Sequence, residues 1–510
     1  MLYVTPVSKG YSMHLAKGEE REKTSAYERH KPEETLLYQI IDKYYPQFIE
    51  HMAQQDKDLP KYVRSEFEEY LKCGCLEHGF LRVRCEICHH ERLVAFSCKR
   101  RGFCPSCGAR RMAESAALLV DDILPHEPIR QWVLSFPFQL RFLFSCYPQV
   151  MSKVLGIVYR TLATHIINKT GYNKKTAQTG AVTLIQRFGS ALNLNIHFHM
   201  LYLDGVYTED AYGKTRFHRI KAPTKSELNE LVQRISHRVA SFLERQGLLI
   251  SDTENDYLTL DGLEDDEMLQ IHGCSITYRI ATGAQQGRKV FTLQTITPKV
   301  APSFESNRVA NMAGFSLHAG VVAGSQERDK LERLCRYISR SAVSEKRLAL
   351  TSHGKIRYQL KTPFRDGTTH VLFEPLDFIA RLAALVPKPR VNLTRFHGIF
   401  APNSKHRAEV TPNKGKQSKP VPLTMQIDAC EEKTGKKKRN SMTWAQRLKR
   451  VFGIDIETCA QCGGMVKVIA SIEDPVVIEK ILSHLNKKSS KIDRERLPES
   501  RAPPQFNLFE

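Results

Sequence analysis

Two histidines stand two residues apart in an apolar run, His197 and His199 in NLNIHFHMLYL. In a strand, residues two apart point to the same face. Both imidazoles then project together, with Phe198 on the other side. Two unpartnered imidazoles inside a core would be costly. On one side of a rigid sheet they can instead hold a divalent ion with positions left open, as catalysis requires. The pair alone is a weak signal, because 19 histidines predict roughly 0.7 such pairs by chance. Its apolar strand context strengthens it, against the plainer reading of two hydrogen-bonded core histidines. The third ligand stays open between Gln186, on the strand expected to pair with this one, and His318 in GFSLHAG.

The second chemistry is thiolate. Cys85-x-x-Cys88 and Cys104-x-x-Cys107 are knuckles separated by 15 residues, and Cys459-x-x-Cys462 is a third. The composition predicts roughly 0.3 such pairs in the whole chain. The first two have the spacing of a four-cysteine structural zinc site, and that is the expectation: Cys85, Cys88, Cys104 and Cys107 around one Zn2+. Zinc supplies about 10–16 kcal/mol in small finger peptides, enough to fix a short loop-rich module. Cys73, His78 and Cys98 lie close by, with Cys75 and His90 as further donors, so a second zinc is an open option against simple burial. Cys459 and Cys462 are half a site, which takes metal with distant ligands or is a plain turn. Lys99, Arg100, Arg101, Arg110 and Arg111 surround the knuckles. Cations on a rigid metal module suit phosphate contacts; the alternative is a solvated face.

Charge points the same way. The net charge is +21 and the pI about 9.4. That excess favours nucleic acid over an anionic membrane surface, since no basic amphipathic anchor helix is visible. The first residues, MLYVTPVSKGYSMHLAKGEEREK, carry no long apolar core, and no window approaches 18 uninterrupted apolar residues. A cytoplasmic protein is expected, and in that reducing setting cysteines read as metal ligands before disulfides.

The chain's 510 residues suggest about three domains. Apolar spacing predicts helices over 34–54, from Pro60 to about Leu71, over 109–124, 149–168 and 326–340, and one opening at Thr224 with Glu227 as a capping box. AVTLIQRF and LNLNIHFHMLYLDGVY flank a Gly-Ser turn and read as a hairpin. SITYRIA and KVFTLQTI read as strands. Residues 252–267 are acidic and read as a loop. Residues 387–440 are rich in Pro, Lys and Asn and read as a basic linker.

Three stretches together strongly resemble the rolling-circle transposases of the insertion-sequence ninety-one family, whose relatives include common-region elements. They are GAVTLIQRFGSALNLNIHFHMLYLDGVY, HGFLRVRCEICHHERLVAFSCKRRGFCPSCGARRM and GFSLHAG with LERLCRYISR. The resemblance runs from about residue 35 to about 485. It implies an α+β protein in which a helical zinc-binding module precedes an HUH-type nuclease, an antiparallel sheet with flanking helices, and a small module follows. The boundaries expected are a loose segment 1–33, a DNA-recognition module 34–124, the nuclease 125–385, a basic linker 386–441, a C-terminal module 442–487 and a tail 488–510.

The family likeness also implies cleavage of single-stranded DNA by a tyrosine, leaving a 5′-phosphotyrosine and a free 3′-hydroxyl. It assigns that nucleophile to Tyr337, with His197 and His199 holding Mg2+ or Mn2+. Arg336 and Arg340 are placed to stabilise the phosphate. The family motif often has a tyrosine four residues earlier, where this chain has Arg333. The chain therefore looks like a single-tyrosine branch, and a second protomer, as a homodimer, is one way to handle a second DNA end. No G-x-x-x-x-G-K-[ST] loop is present, so unwinding is expected from host replication and helicase machinery. The alternatives are a replication initiator or relaxase with the same chemistry, and a non-enzymatic zinc-binding regulator.

Overall fold

The computed structural model describes residues 25–26, 31–251, 256–258, 268–297, 308–412 and 454–492. Two helices come first, α1 (Leu36–Ala53) and α2 (Lys61–Lys72). Thr35 caps α1 by accepting the Tyr38 N–H. A hairpin follows, β1 (Phe80–Cys85) and β2 (Glu91–Ala95), and then α3 (Pro105–Ala117), which runs on as a single π-helical turn to Ile123.

The central part of the chain begins with β3 (Ile129–Ser135), then α4 (Phe138–Cys146) and α5 (Pro148–Lys169). The expected hairpin is β4 (Gly180–Phe188) and β5 (Leu194–Leu203), with α6 (Lys225–Arg245) after it, capped by Thr224 and Glu227 as a full capping box. Then come β6 (Val309–Met312), β7 (Phe315–Ala323), α7 (Arg328–Ser339), α8 (Pro375–Leu385) and β8 (Thr394–Gly398). In the C-terminal part are β9 (Val466–Ile472) and α9 (Pro475–Ile492).

Six strands make one sheet in the order β6-β7-β3-β5-β4-β8, every pair antiparallel. The sheet is two-sided. Phe198, Met200 and Tyr202 of β5 pack with Trp132, Leu134, Ile185 and the apolar stripes of α4 and α5. On the other face Leu201, Leu203, Val182 and Leu184 pack against Leu331, Cys335 and Ile338 of α7, Ala116 of α3 and Leu119 just beyond it. Because side chains alternate along a strand, His197 and His199 belong to this second face. The helix α5 is long and apolar enough to cross a membrane by length and composition, yet 61% of that window is buried against the sheet and α6.

Two expectations need correction. SITYRIA is not a strand: Ser275 and Ile276 end a helix, Met268–Ile276, and the chain then turns. Tertiary contacts override its β-rich composition, since Ser275 accepts the Leu194 N–H from β5. The stretch read as the start of a linker supplies β8, an edge strand of the central sheet, and a short helix, Arg407–Val410. Residues 413–441 lie outside the described residues, as does most of the acidic stretch 252–267.

Candidate functional site

The cysteines form two clusters, and neither is the one expected. Cys73, Cys98, Cys104 and Cys107 converge in one; Cys85, Cys88, Cys459 and Cys462 converge in the other. The hairpin explains the partition. Cys85 and Cys88 lie at its tip, and the chain returns along β2 so that Cys98 sits back at its base, where its N–H meets the Cys73 sulfur. Five strand steps, about 17 Å, separate tip from base. The tip knuckle therefore cannot share an ion with Cys104 and Cys107 at the start of α3. The tip cluster is completed from the far end of the chain. Strand β9 pairs antiparallel with β1, Val466 opposite Cys85 and Ile472 opposite Phe80, which brings the preceding Cys459 knuckle to the tip.

Both clusters suit zinc. Tetrahedral thiolates about 2.3 Å from an ion are about 3.8 Å apart. The Sγ–Sγ separations are 3.7 Å for Cys73–Cys107, 3.8 Å for Cys73–Cys104 and 3.4 Å for Cys98–Cys107 in the base cluster. In the tip cluster Cys85–Cys462 is 3.4 Å and Cys88–Cys459 is 3.6 Å. His78, Cys75 and His90 join neither cluster.

The histidines share a face as expected. The two Nε2 atoms are 3.1 Å apart. Cis ligands at about 2.1 Å in an octahedron would be about 3.0 Å apart, so the spacing suits Mg2+ or a similar ion. Nδ1 of His197 donates to the Asn195 carbonyl at 2.8 Å, which leaves its Nε2 a lone pair. Nδ1 of His199 lies 2.8 Å from the side-chain amide of Gln131 on β3. With the amide nitrogen towards it, His199 must carry its proton on Nε2 and donate to His197. A half-turn of the amide reverses this, so that both Nε2 lone pairs are available. Burial, then Arg340 and Arg141, push His197 down to about 4; burial, then His197 and Arg340, push His199 down to about 2. Neutral imidazoles are the ligand form.

Of the two proposed third ligands, Gln186 lies directly opposite His197 on β4 and donates its amide N–H to the Ile338 carbonyl of α7 at 3.0 Å. His318 is not brought to the pair. Val133 lies between it and His199 in register, two strand spacings or about 10 Å across.

Tyr337 lies on the helix that covers this face. Leu331, Cys335 and Ile338 are buried against the sheet, while Tyr337 is 43% exposed. Arg340 stacks on its ring at 4.2 Å and Lys361 sits 4.5 Å over it. The helix is fixed at both ends. Arg328 donates to the carbonyls of Val120, Leu124 and Pro125 beyond α3. At the other end Gly108 of α3 abuts Ser341 so closely that a Cβ there would come within 2.5 Å of it. Arg336 lines neither of the cavities beside Tyr337. Among the zinc-module cations, Arg101 donates to the Val391 carbonyl and Arg111 to those of Lys99 and Arg100, and both line a cavity beside Gln186. Arg110 pairs with Glu114 on the surface, and Lys99 and Arg100 stay outside that cavity.

Sequence reading missed Gln131, and its β-rich run WVLSFPFQLRFLF is only in part a strand, since Phe138–Cys146 is the helix α4; only the β3–β5 register shows that Gln131 reaches a histidine. It also missed Lys361, which has no motif around it.

Residues 180–408 match the family described as "Putative transposase", and residues 40–136 match the "Transposase zinc-binding domain". No curated protein and no solved structure matches the chain. The zinc-domain match covers the base cluster and the tip knuckle, but not Cys459 and Cys462. The two matched regions, the cysteine clusters able to hold structural zinc and the mixed α+β fold support a transposase of the insertion-sequence ninety-one family, a DNA-binding and DNA-cleaving enzyme.

Proposed function

We propose that this chain nicks single-stranded DNA at the ends of an insertion element and rejoins the strands, driving rolling-circle transposition. Tyr337 is the nucleophile. Its phenolic oxygen attacks the scissile phosphorus, a tyrosyl phosphodiester forms on the 5′ side, and the bond to the 3′-oxygen breaks. The phenol loses its proton and the 3′-oxygen gains one. The phosphodiester conserves bond energy, so a 3′-hydroxyl reverses the step and joins strands without ATP.

His197 and His199 would hold Mg2+ or Mn2+, with the Gln186 oxygen as third donor, and a bound ion supplies Lewis-acid stabilisation of the phosphate. Gln131 orients His199. Arg340 neutralises charge on the phosphoryl oxygens beside the ring. The observation that carries the reading is Arg340 itself. It stacks on Tyr337 at the end of α7, and the same helix end accepts, at the Ile338 carbonyl, the bond from Gln186, which lies opposite His197.

Arg333 is exposed one turn before Tyr337, on the same helical face. This supports a single nucleophile per chain. A second DNA end then awaits reuse of Tyr337 or a second protomer in a homodimer, and unwinding is left to host helicases. We place the chain in the cytoplasm.

The test is incubation with labelled single-stranded oligonucleotides spanning an element end, with and without Mn2+. We expect a covalent adduct that maps to Tyr337, vanishes in Tyr337→Phe and in His197→Ala, and never exceeds one DNA per chain. An adduct on another tyrosine, or full nicking by the His197→Ala/His199→Ala chain, would refute the assignment. Tyr358 is a poor rival, being fully buried.

A further inference from the structure

Two cavities lie between Tyr337 and the zinc module. One, about 340 Å³, lies between Tyr337, Phe188 and a hairpin loop carrying Lys361, Phe364 and Arg365. The other, about 310 Å³, lies between Gln186, the end of α7 and the zinc-module residues Arg101 and Arg111. Phe188, Arg340 and Ala342 line both, so the cavities adjoin. Among the described residues neither is lined by any Asp or Glu, whereas Arg101, Arg111, Arg340, Arg347, Lys361 and Arg365 all line one or the other. Phe188 and Phe364 line the same path, and Arg340 lies over the Phe188 ring at 5.3 Å. A cationic groove interleaved with aromatic rings is the chemistry that binds a single strand without reading its sequence.

We infer that the two cavities are one track for single-stranded DNA, with the 361–365 hairpin loop as one wall and the zinc module as the other, so that nucleotides on the two sides of the scissile phosphate touch different modules. The arrangement deepens the zinc module's role. It forms part of the catalytic groove, besides any recognition of the element end at a distance. Arg187 takes no part, since its guanidinium is buried and donates to the carbonyls of Ala384, Leu385 and Val386. Arg111 is held by two backbone carbonyls, which fixes its guanidinium at the wall at little entropic cost.

The inference rests on Tyr337 as nucleophile for the position of the scissile bond. Binding is therefore measured in full-length Tyr337→Phe without divalent metal, so that chemistry does not enter. The probe is a fluorescein-labelled oligo-dT of about 15 nucleotides, within the range of single-strand site sizes. Each phosphate contact contributes about 0.7 to the slope of log affinity against log salt for a single strand. Arg365→Gln at one end and Arg111→Gln at the other should each lower the slope by about 0.7, and together by about 1.4. Should Arg111→Gln disturb the zinc module, Ser115→Glu keeps the Arg111 bonds, adds an acid to the same cavity, and should weaken binding about tenfold or more.

Oligonucleotides carrying one photoreactive thymine give a second readout. Positions on one side of the scissile bond should crosslink to residues 361–365, and positions on the other side to residues 99–111. If the wild-type chain with Mn2+ forms no adduct on Tyr337 while these slopes and two-sided crosslinks are found in Tyr337→Phe, the track stands and the nucleophile is refuted. Wild-type slopes in both variants, or crosslinks from the whole oligonucleotide to one wall only, would overturn the track.

Discussion

Replacing Cys462 with serine should remove one of two zinc ions and undock the C-terminal part of the protein. The magnitude follows from how little else holds it. Between Ile456 and Leu485 only Cys459, Gly464 and Ile478 are buried among the described residues, and Val468 of β9 is 60% exposed. One buried isoleucine contributes about 1.5–3 kcal/mol. A structural zinc in a small module contributes about 10–16 kcal/mol. The ion at Cys85, Cys88, Cys459 and Cys462 is thus the largest single contribution to docking β9 on β1, and losing one of four thiolates should be felt at once. Metal analysis should find two zinc ions per wild-type chain and one in Cys462→Ser. Trypsin should then cut at Lys467, which the paired strand protects in the wild type. Cys85→Ser should behave like Cys462→Ser, whereas Cys104→Ser should lose the other ion and leave Lys467 protected. If Cys85→Ser and Cys104→Ser abolish the same ion, or if Cys462→Ser keeps two zincs, the interleaved clusters are wrong and the adjacent knuckles share one site after all.

Three further outcomes are expected. Gln131→Leu should raise the Mn2+ concentration needed for nicking by about 10–100-fold, with Gln131→Glu recovering part of it, because outer-shell partners of metal-bound histidines carry effects of that size; an unchanged Mn2+ titration would remove Gln131 from the site. Arg130 and Asp204 form a buried two-pronged ion pair with both N–O distances at 2.8 Å, so Asp204→Leu should cost about 3–5 kcal/mol and show in thermal unfolding. His397 stacks on Tyr159 and is pushed down to about 4 by burial and then Arg395. Unfolded, it takes up a proton near its ordinary value of about 6.5, so its share of stability falls as pH drops from about 6.5 to about 4 and is constant above that window. Denaturant titrations of His397→Phe, which keeps the stack and cannot titrate, should show a shallower decline, and an identical decline would exclude this histidine as a source.

What could be read from the sequence was local. The histidine pair was legible because period two along one strand decides its face, and the capping box of α6 because it spans four residues. The helices near the amino end were legible from period 3.6. Everything that depended on register was not. Nothing in the spacing of Cys85, Cys88, Cys104 and Cys107 says that a hairpin carries one knuckle about 17 Å from the other. Nothing in 371 residues of separation says that Cys88 and Cys459 meet. The Pro-, Lys- and Asn-rich composition around residue 394 concealed an edge strand, a position where sheets tolerate such residues because one side needs no partner.

With Tyr337 as the proposed nucleophile, the metal module and the chemistry depend on each other. Nothing along the chain relates Tyr337 to His197. Its position follows from what α7 is pressed between. On one side lie Leu201 and Val182 of the sheet, together with the Gln186 bond to the Ile338 carbonyl. On the other lies α3, packed so closely at Gly108 that no side chain fits against Ser341. The amino end of α3 is the base cluster itself, with Cys104 as its cap and Cys107 in its first turn. An ion held there fixes where α3 starts and hence the surface against which α7 rests. Reading the zinc module as a recognition device alone would let its loss spare the intrinsic chemistry. The packing argues against that separation for the base cluster, whose cysteines are also the footing of the helix that presents the tyrosine. The tip cluster has no such contact, and its loss would leave α7 where it is.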